Sequence, residues 1–459
     1  RALASHDVRM AVLAGEAPEP ASPLSPVAQV VGPLAYSDEP LPGSADTAVA
    51  EMDRAAARVL GGPPDVWHIH NHSLGKNLSL PMAVSRMAAA GRKLLLQIHD
   101  FPEDGRPDRY RFMARNLAGD GGRLAATLYP LAPHVHYAPL NARDRHFLEQ
   151  AGALRDRVHR LPNAVASLGA SPDAAPQGAE RILLYVTRAI RRKNLGEILL
   201  WAAMEDAARF QVSRAPRNPA ARPVYKRWVA VAESLKLPVE FEVGERDDLP
   251  LGELISRAAA LITTSVAEGF GLAFLEPWLA GRPLVGRDLP EVTEGLKESG
   301  LDLSALYEAL RVPVEWFDER MLRTKLTLGY VEMLEAYGRE PSSDLPDRLW
   351  KALCSDGRID FGRLDEPLQE KVIRRVAASK SEVEIIPNAL PPLPERGDAL
   401  AANRRVVEEH YGLEDYGRRL AGLYEQVAAS AAGPVEALDG DRLLDRFLDP
   451  SRFSLLRTL

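Results

Sequence analysis

A chain of 459 residues is too long for one ordinary core and fits two or three domains. Its 26% charged and 46% hydrophobic residues are ordinary soluble composition, and a formal net charge of −7 argues against a nucleic-acid partner. The single cysteine, Cys354, cannot form an intrachain disulfide and reads as a buried core thiol. No apolar run reaches the roughly eighteen residues of a membrane span, and the N-terminus lacks a secretion-signal pattern, so a soluble cytoplasmic protein is expected.

Short β-branched or leucine-rich runs alternate with longer helix-period stretches, the pattern of parallel sheets covered by helices on both faces. The first series holds Val8 to Ala14, Asp65 to His70, Lys93 to His99 and His134 to Leu140, and closes near Pro162-Asn163. Residues 166–180 are small, proline- and glycine-containing and without apolar periodicity, which predicts a solvated linker. A second series follows with Arg181 to Thr187, Pro238 to Val243, Ala260 to Ser265 and Pro283 to Asp288. From about Gly300 to Ser379 the pattern turns helical, with Leu322, Leu326, Tyr330, Met333, Leu334 and Tyr337 on one face. Prolines in 387–395 break regular structure, and a last long helix is predicted from Asn403 to Ala428. The expected class is α/β, with an N-terminal Rossmann-like domain over 1–165, a C-terminal one over 181–300, a helical insertion over 301–395, a terminal crossover helix within 396–430 and a tail over 431–459.

The most informative stretch is Thr263 to Gly286. Glu268 and Glu276 are separated by seven residues, with Gly269 and Gly271 flanking Phe270, after a buried strand and before an expected helix. At a strand's C-terminal end, glycines allow close approach of a ligand, and helix-terminal amides favour an anion such as phosphate. A carboxylate further on can accept paired hydrogen bonds from a ribose diol. Just past the first strand of the second series stand Arg188 and Lys193, fixed cations able to meet the charge of a departing diphosphate. In the first series His99 and Asp100 end a strand where ligands of open parallel sheets bind.

The string Glu268-Gly269-Phe270-Gly271-Leu272 through Glu276 and Pro277 to Gly281-Arg282-Pro283 resembles the Glu-x7-Glu signature of family 4 retaining glycosyltransferases of the GT-B fold. The resemblance covers most of Val8 to Leu296 and, less specifically, Asn403 to Ala428. It implies two Rossmann-like domains facing a cleft, and transfer of a sugar from an NDP donor to an acceptor hydroxyl that the sequence does not identify. Glu268 would contact the transferred sugar and Glu276 the ribose. Residues 269–272 would line the nucleotide-sugar site, Arg188 and Lys193 would clamp the diphosphate, and His99 would reach the donor sugar. No metal and no cofactor beyond the donor are implied. Same-face attack, with the leaving phosphate helping to deprotonate the acceptor, would retain configuration. Closure about 166–180 and the terminal helix would exclude water.

Three departures stand out. Thr187 and Asn194 occupy positions where the family has glycine before the arginine and after the lysine. The family's first strand and glycine-rich loop have no counterpart, because Arg1 already reads as the end of the following helix, so the chain is expected to be N-terminally incomplete. The insertion after Gly300 lies outside the family plan, and nothing in the donor signature needs it. It is therefore expected to shape the acceptor entrance or form a homo-oligomer contact.

Two other classes compete. His68, His70 and His72 alternate after a strand, which would place all three on one face and suits a metal-dependent hydrolase. A catalytically idle scaffold of the same fold is the third reading, opposed by the presence of Glu268, Glu276, Arg188 and Lys193. Asp439 and Asp441, an Asp-x-Asp pair, fit a helix N-cap better than a metal site.

Overall fold

A computed structural model describes residues 2–37, 39, 44–117, 124–169, 181–246, 250–386 and 397–457. Most of the expected linker and the proline-rich 387–395 fall outside the described residues. Strands run in chain order as β1 (Val12–Ala14), β2 (Ala28–Val30), β3 (Trp67–His70), β4 (Leu94–Ile98), β5 (Pro130–Leu131), β6 (Val135–Pro139), β7 (Arg181–Arg188) and β8 (Ala208–Arg214). They continue as β9 (Val239–Phe241), β10 (Ala260–Thr263), β11 (Leu284–Arg287), β12 (Leu306–Tyr307), β13 (Arg311–Pro313), β14 (Cys354–Ser355), β15 (Arg358–Asp360) and β16 (Glu436–Ala437). Two compact units result. One comprises Arg1–Asn163, Leu334–Glu340 and Leu413–Asp449, the other Ala164–Met333, Pro341–Gly412 and Pro450–Leu459.

In the first unit β3, β4 and β6 form a parallel sheet with β4 in the middle. Every residue of β4 and β6 is buried, as expected of strands covered on both faces. Leu94, Leu96, Ile98 and Tyr137 pack with Met52, Val84 and Met87 from the helices Ser44–Leu60 and Ser79–Ala89. β1 and β2 make a separate parallel pair, and β16 pairs antiparallel with β5. Residues 2–7 form turns where the sequence suggests a helix end. Asp439 caps the helix Gly440–Phe447 by accepting a hydrogen bond from the Arg442 amide at 3.0 Å.

The second unit is one six-stranded parallel sheet in the order β12-β11-β10-β7-β8-β9. The chain enters at β7, winds outward to β9, then returns to β10 on the other side of β7 and winds out to β12. The strand order therefore reverses between β7 and β10. Loops at the C-terminal ends of strands flanking such a reversal are where open α/β sheets bind ligands.

The segment after Gly300 is not helical throughout. Leu306–Tyr307 complete the parallel sheet as β12, and β13, β15 and β14 form a small antiparallel sheet among the helices Glu319–Ala336, Leu345–Leu353 and Glu366–Ala378. The turn from β14 to β15 is Asp356-Gly357, both with positive φ (51° and 66°), the conformation that a two-residue hairpin requires. Of the apolar face read in Glu319–Ala336 and its continuation, Leu322, Leu326, Tyr330, Leu334 and Tyr337 are buried and Met333 is half-buried. Cys354, on β14, is also half-buried. The long terminal helix is two helices, Asp398–Tyr411 and Leu413–Ala428. At Gly412 the backbone turns extended and passes so close to the preceding turn that a Cβ would lie 2.5 Å from the Glu408 carbonyl oxygen.

At the end of β11 Arg287 is buried between two carboxylates. Its guanidinium donates to Glu197 at 2.9 and 2.5 Å and to Asp360 at 2.8 and 2.9 Å. Tyr307 donates to Glu197 at 2.7 Å, and Trp201 to the Tyr307 hydroxyl at 2.7 Å. The cluster ties the sheet, the helix Leu195–Met204 and the hairpin strand β15 into one body.

The loop after β4 holds another buried carboxyl, Glu103, which accepts from Tyr129 at 2.9 Å. Burial pushes its pKa up to about 7. An acid raised on folding destabilises the fold progressively as pH climbs from its unfolded value toward the folded one, and by a constant amount above it. Glu103→Gln should therefore gain stability relative to the parent between about pH 5 and about pH 8, by on the order of 3 kcal/mol. Chemical denaturation at the two pH values tests this, and a constant difference between the proteins contradicts the buried neutral acid.

Candidate functional site

β7 leads into Arg188, its last residue, and then into a single 3-10 turn, Arg191–Lys193. Asn194 follows in the left-handed region at φ 51°, and the helix Leu195–Met204 begins there. Few side chains accept that conformation, and asparagine is one of them. The loop is held by the end of β10. The Thr264 hydroxyl lies 3.0 and 3.1 Å from the Lys193 and Asn194 carbonyl oxygens. The Val266 amide donates to the Arg192 carbonyl at 3.0 Å, and Tyr185 donates to the Lys193 carbonyl at 3.2 Å.

This stitching brings Lys193 and Glu268 together. The Lys193 ammonium pairs with one Glu268 oxygen, and Arg192 lies 3.1 Å from the other while donating to the Ala267 carbonyl at 2.6 Å. The Glu268 side chain is only 9% exposed and that of Lys193 16%. Burial alone would push the Glu268 carboxyl up, but Lys193 and Arg192 hold it below the ordinary range. Burial lowers the Lys193 ammonium, and Glu268 opposes that shift. Glu276, at the start of the helix Glu276–Leu279, is raised by burial and feels the Lys193 charge.

Between the glutamates Phe270 is buried, Gly269 is half-buried and Leu272 is exposed. Gly271 sits at φ 86°, and a Cβ there would meet Val292 at 2.6 Å and Phe274 at 2.9 Å. Glycine is thus required on two grounds. The expected helix after the motif is a 3-10 turn, Leu272–Phe274, followed by one α turn, Glu276–Leu279, because the chain closes at Ala280-Gly281. The longer helix of the site is Leu195–Met204, which starts directly after Lys193. Arg282 is structural, donating to the carbonyls of Ile255, Ser256 and Gly281.

Arg188 does not join the Lys193–Glu268 pair. Its side chain is exposed and makes no hydrogen bond or ion pair among the described residues. Arg191 turns instead to Glu366, and Arg192 is the cation beside Glu268 that sequence reasoning left unassigned. Three consecutive basic residues carry no local mark of which one faces inward.

His99 belongs to the first unit, in the loop after β4. Its amide and that of Asp100 donate to the Asn71 side chain at 2.8 and 3.1 Å, and its ring lies 3.0 Å from that of His70. Burial lowers the His99 pKa. The three alternating histidines do not share a face. Asn71 adopts a left-handed conformation after β3 and swings His72 into the core, where its ring donates to the Leu128 carbonyl at 2.7 Å. His68 is engaged by Gln97 and Tyr424, and burial and the adjacent His70 ring push it down to about 3. Among the described residues no cluster of three or more histidines, cysteines or acids is placed to hold a metal ion.

The fold is similar to that of sucrose-phosphate synthase from Thermosynechococcus elongatus, with a TM-score of 0.50 and 14% identity, covering 93% of this chain and 91% of that one. It is the GT-B fold of glycosyltransferases. By sequence, the chain is similar to the mannosylglucosyl-3-phosphoglycerate synthase of Petrotoga mobilis, 23% identical over 397 residues that span 80% of this chain and 74% of that protein. No protein-family model matches it. No helix among the described residues is long and apolar enough to cross a membrane.

The ion pair carries a direct expectation. Glu268→Gln removes the charge that holds the Lys193 pKa up against burial. The pH midpoint for acylation of Lys193, followed by peptide mass spectrometry, should fall. An unchanged or higher midpoint would contradict the pairing.

Proposed function

We propose that the chain is a retaining glycosyltransferase that takes a sugar from a nucleoside-diphosphate donor without a metal ion. The observation that carries this reading is the convergence of Lys193, Arg192 and Glu268 at the C-terminal ends of β7 and β10, where the strand order reverses. Two cations beside a helix start suit a diphosphate, and a buried carboxylate beside them suits sugar hydroxyls. Glu268 pairs with both cations in the structure. When a donor binds, its diphosphate takes that place and Glu268 turns to the sugar. Glu276 holds the ribose diol, while backbone around Gly269 to Leu272 approaches the donor. As the sugar–phosphate bond breaks, charge grows on the diphosphate and Lys193, Arg192 and the exposed Arg188 stabilise it. The acceptor hydroxyl adds to the anomeric carbon on the face the phosphate leaves, passing its proton to that phosphate. The name of the Petrotoga relative supports testing phosphorylated hydroxy acids and their glycosides as acceptors.

Transfer is expected to persist in excess EDTA, since the phosphate charge falls to side chains. Loss of activity with rescue by one particular metal would overturn metal independence. The two glutamates should separate binding from transfer. Glu276→Gln should weaken binding of every ribose-bearing NDP by roughly ten- to a hundredfold, and hardly affect a 2′,3′-dideoxyribose analogue. Glu268→Gln should not weaken NDP binding, since the diphosphate displaces this carboxylate from the cations, and should impair transfer. Calorimetry and a product assay decide between them, and identical profiles for both variants would sink the assignment.

A further inference from the structure

The helix Glu366–Ala378 of the insertion packs against the helix Leu195–Met204, and two of its first residues reach the cation loop. We propose that Gln369 and Glu366 are positioning residues that hold the Lys193 loop in its anion-binding conformation. This rests on the reading of that loop as a diphosphate clamp. It also replaces the expectation that nothing in the donor signature needs the insertion.

Gln369 is fully buried. Its side-chain amide donates to the Asn194 side-chain oxygen at 2.8 Å and to the Phe361 carbonyl at 3.0 Å. The other end of the Asn194 amide donates to Glu197 at 2.7 Å. Both ends of the asparagine are therefore gripped, one by the insertion and one by the helix it opens. Asn194 follows Lys193 directly and is the residue whose backbone is left-handed, so fixing its side chain fixes the turn that aims the lysine. A glycine would adopt this conformation freely and would also leave it freely.

Gln369 is poorly explained by stability alone. Its side-chain oxygen is buried and has no hydrogen-bond partner among the described residues. An unpaired buried acceptor is unfavourable, and an apolar side chain of similar size would avoid it. At Gly196 a Cβ would lie 2.2 Å from that same oxygen and 2.9 Å from the Trp228 ring, so a side chain there would displace Gln369 from its present position.

Glu366, 6% exposed, takes Arg191 in a two-point pair at 2.6 and 3.0 Å. Of three consecutive cations it draws one aside and leaves Arg192 and Lys193 on Glu268. The insertion thereby sets both the conformation of the loop and which of its charges face the site.

The test measures UDP, GDP and ADP, each against its own nucleoside, by calorimetry. Gln369→Met fills the same space but cannot donate, so affinity for the bound diphosphate should fall about three- to tenfold, the effect of one lost hydrogen bond, with nucleoside affinity unchanged. Asn194→Gly should show the same selective loss, and the double variant should be no worse than Asn194→Gly alone. Full additivity, equal losses for nucleoside and diphosphate, or unchanged diphosphate affinity would overturn the proposal. If Gln369→Met does not fold, Asn194→Gly alone decides by the same selectivity. Failure of the unaltered protein to bind any of the three diphosphates would overturn the donor-site reading and this proposal with it, an outcome distinct from normal binding that the variants leave untouched.

Discussion

A guanidinium removed from water needs an acceptor for its N–H groups, and Arg287 finds most of its acceptors on two carboxylates. Glu197 comes from the first turn of the helix that opens at Asn194, and Asp360 from the end of strand β15. Removing Arg287 would leave two carboxylates in the interior without their shared cation, a far larger loss than the pairs themselves contribute. The cluster therefore fixes relations that hydrophobic packing alone would leave free to slide. It locks the end of β11, the start of the 195–204 helix and the insertion's small sheet to one another. The loop carrying Lys193 hangs from that helix start, so its geometry follows from a charge cluster on the far side of the same helix turn.

Where sequence and structure agree, the reason is burial. The eight strands read from the sequence overlap β1, β3, β4, β6, β7, β9, β10 and β11, most of them apolar runs that need no partner to be recognised. β8 escaped because Ala208–Arg214 alternates buried and exposed residues, with Arg209 and Gln211 interrupting the apolar signal. β12 is two residues long and exists only because β11 offers an edge. Asp356-Gly357 was a legible hairpin signal that the surrounding helical periodicity obscured. The site divides in the same way. Lys193 and Glu268, which the structure brings together, sit in contiguous stretches visible in the sequence, as does Glu276. The inward choice of Arg192 over Arg188 and the arrival of Glu366 and Gln369 depend on tertiary pairing, which no local spacing encodes.

The site is not a bare positive patch. Lys193 and Arg192 already face an anion, Glu268, and of the three Lys193 and Glu268 have largely left water. Replacing one anionic partner with another avoids most of the desolvation that capture of a phosphate by solvated lysines would require. In the proposed mechanism, this exchange also ties the two halves of the donor together: the carboxylate turns to sugar hydroxyls only when the cations have found the diphosphate, so a nucleoside lacking phosphates would leave the pair closed.

The contact between Gly196 and Gln369 has a consequence for descent. A side chain at 196 would collide with Gln369 and the Trp228 ring as they stand, and Gln369 is the residue that reaches Asn194. Once both were in place, neither could drift alone. Relatives that lost the insertion would still meet the Trp228 ring at the position of Gly196 but would be released to carry glycine at that of Asn194, whereas relatives that kept it would be held to asparagine and glutamine. The positions of Asn194 and Gln369 should therefore change together or not at all, although they lie 175 residues apart in the chain.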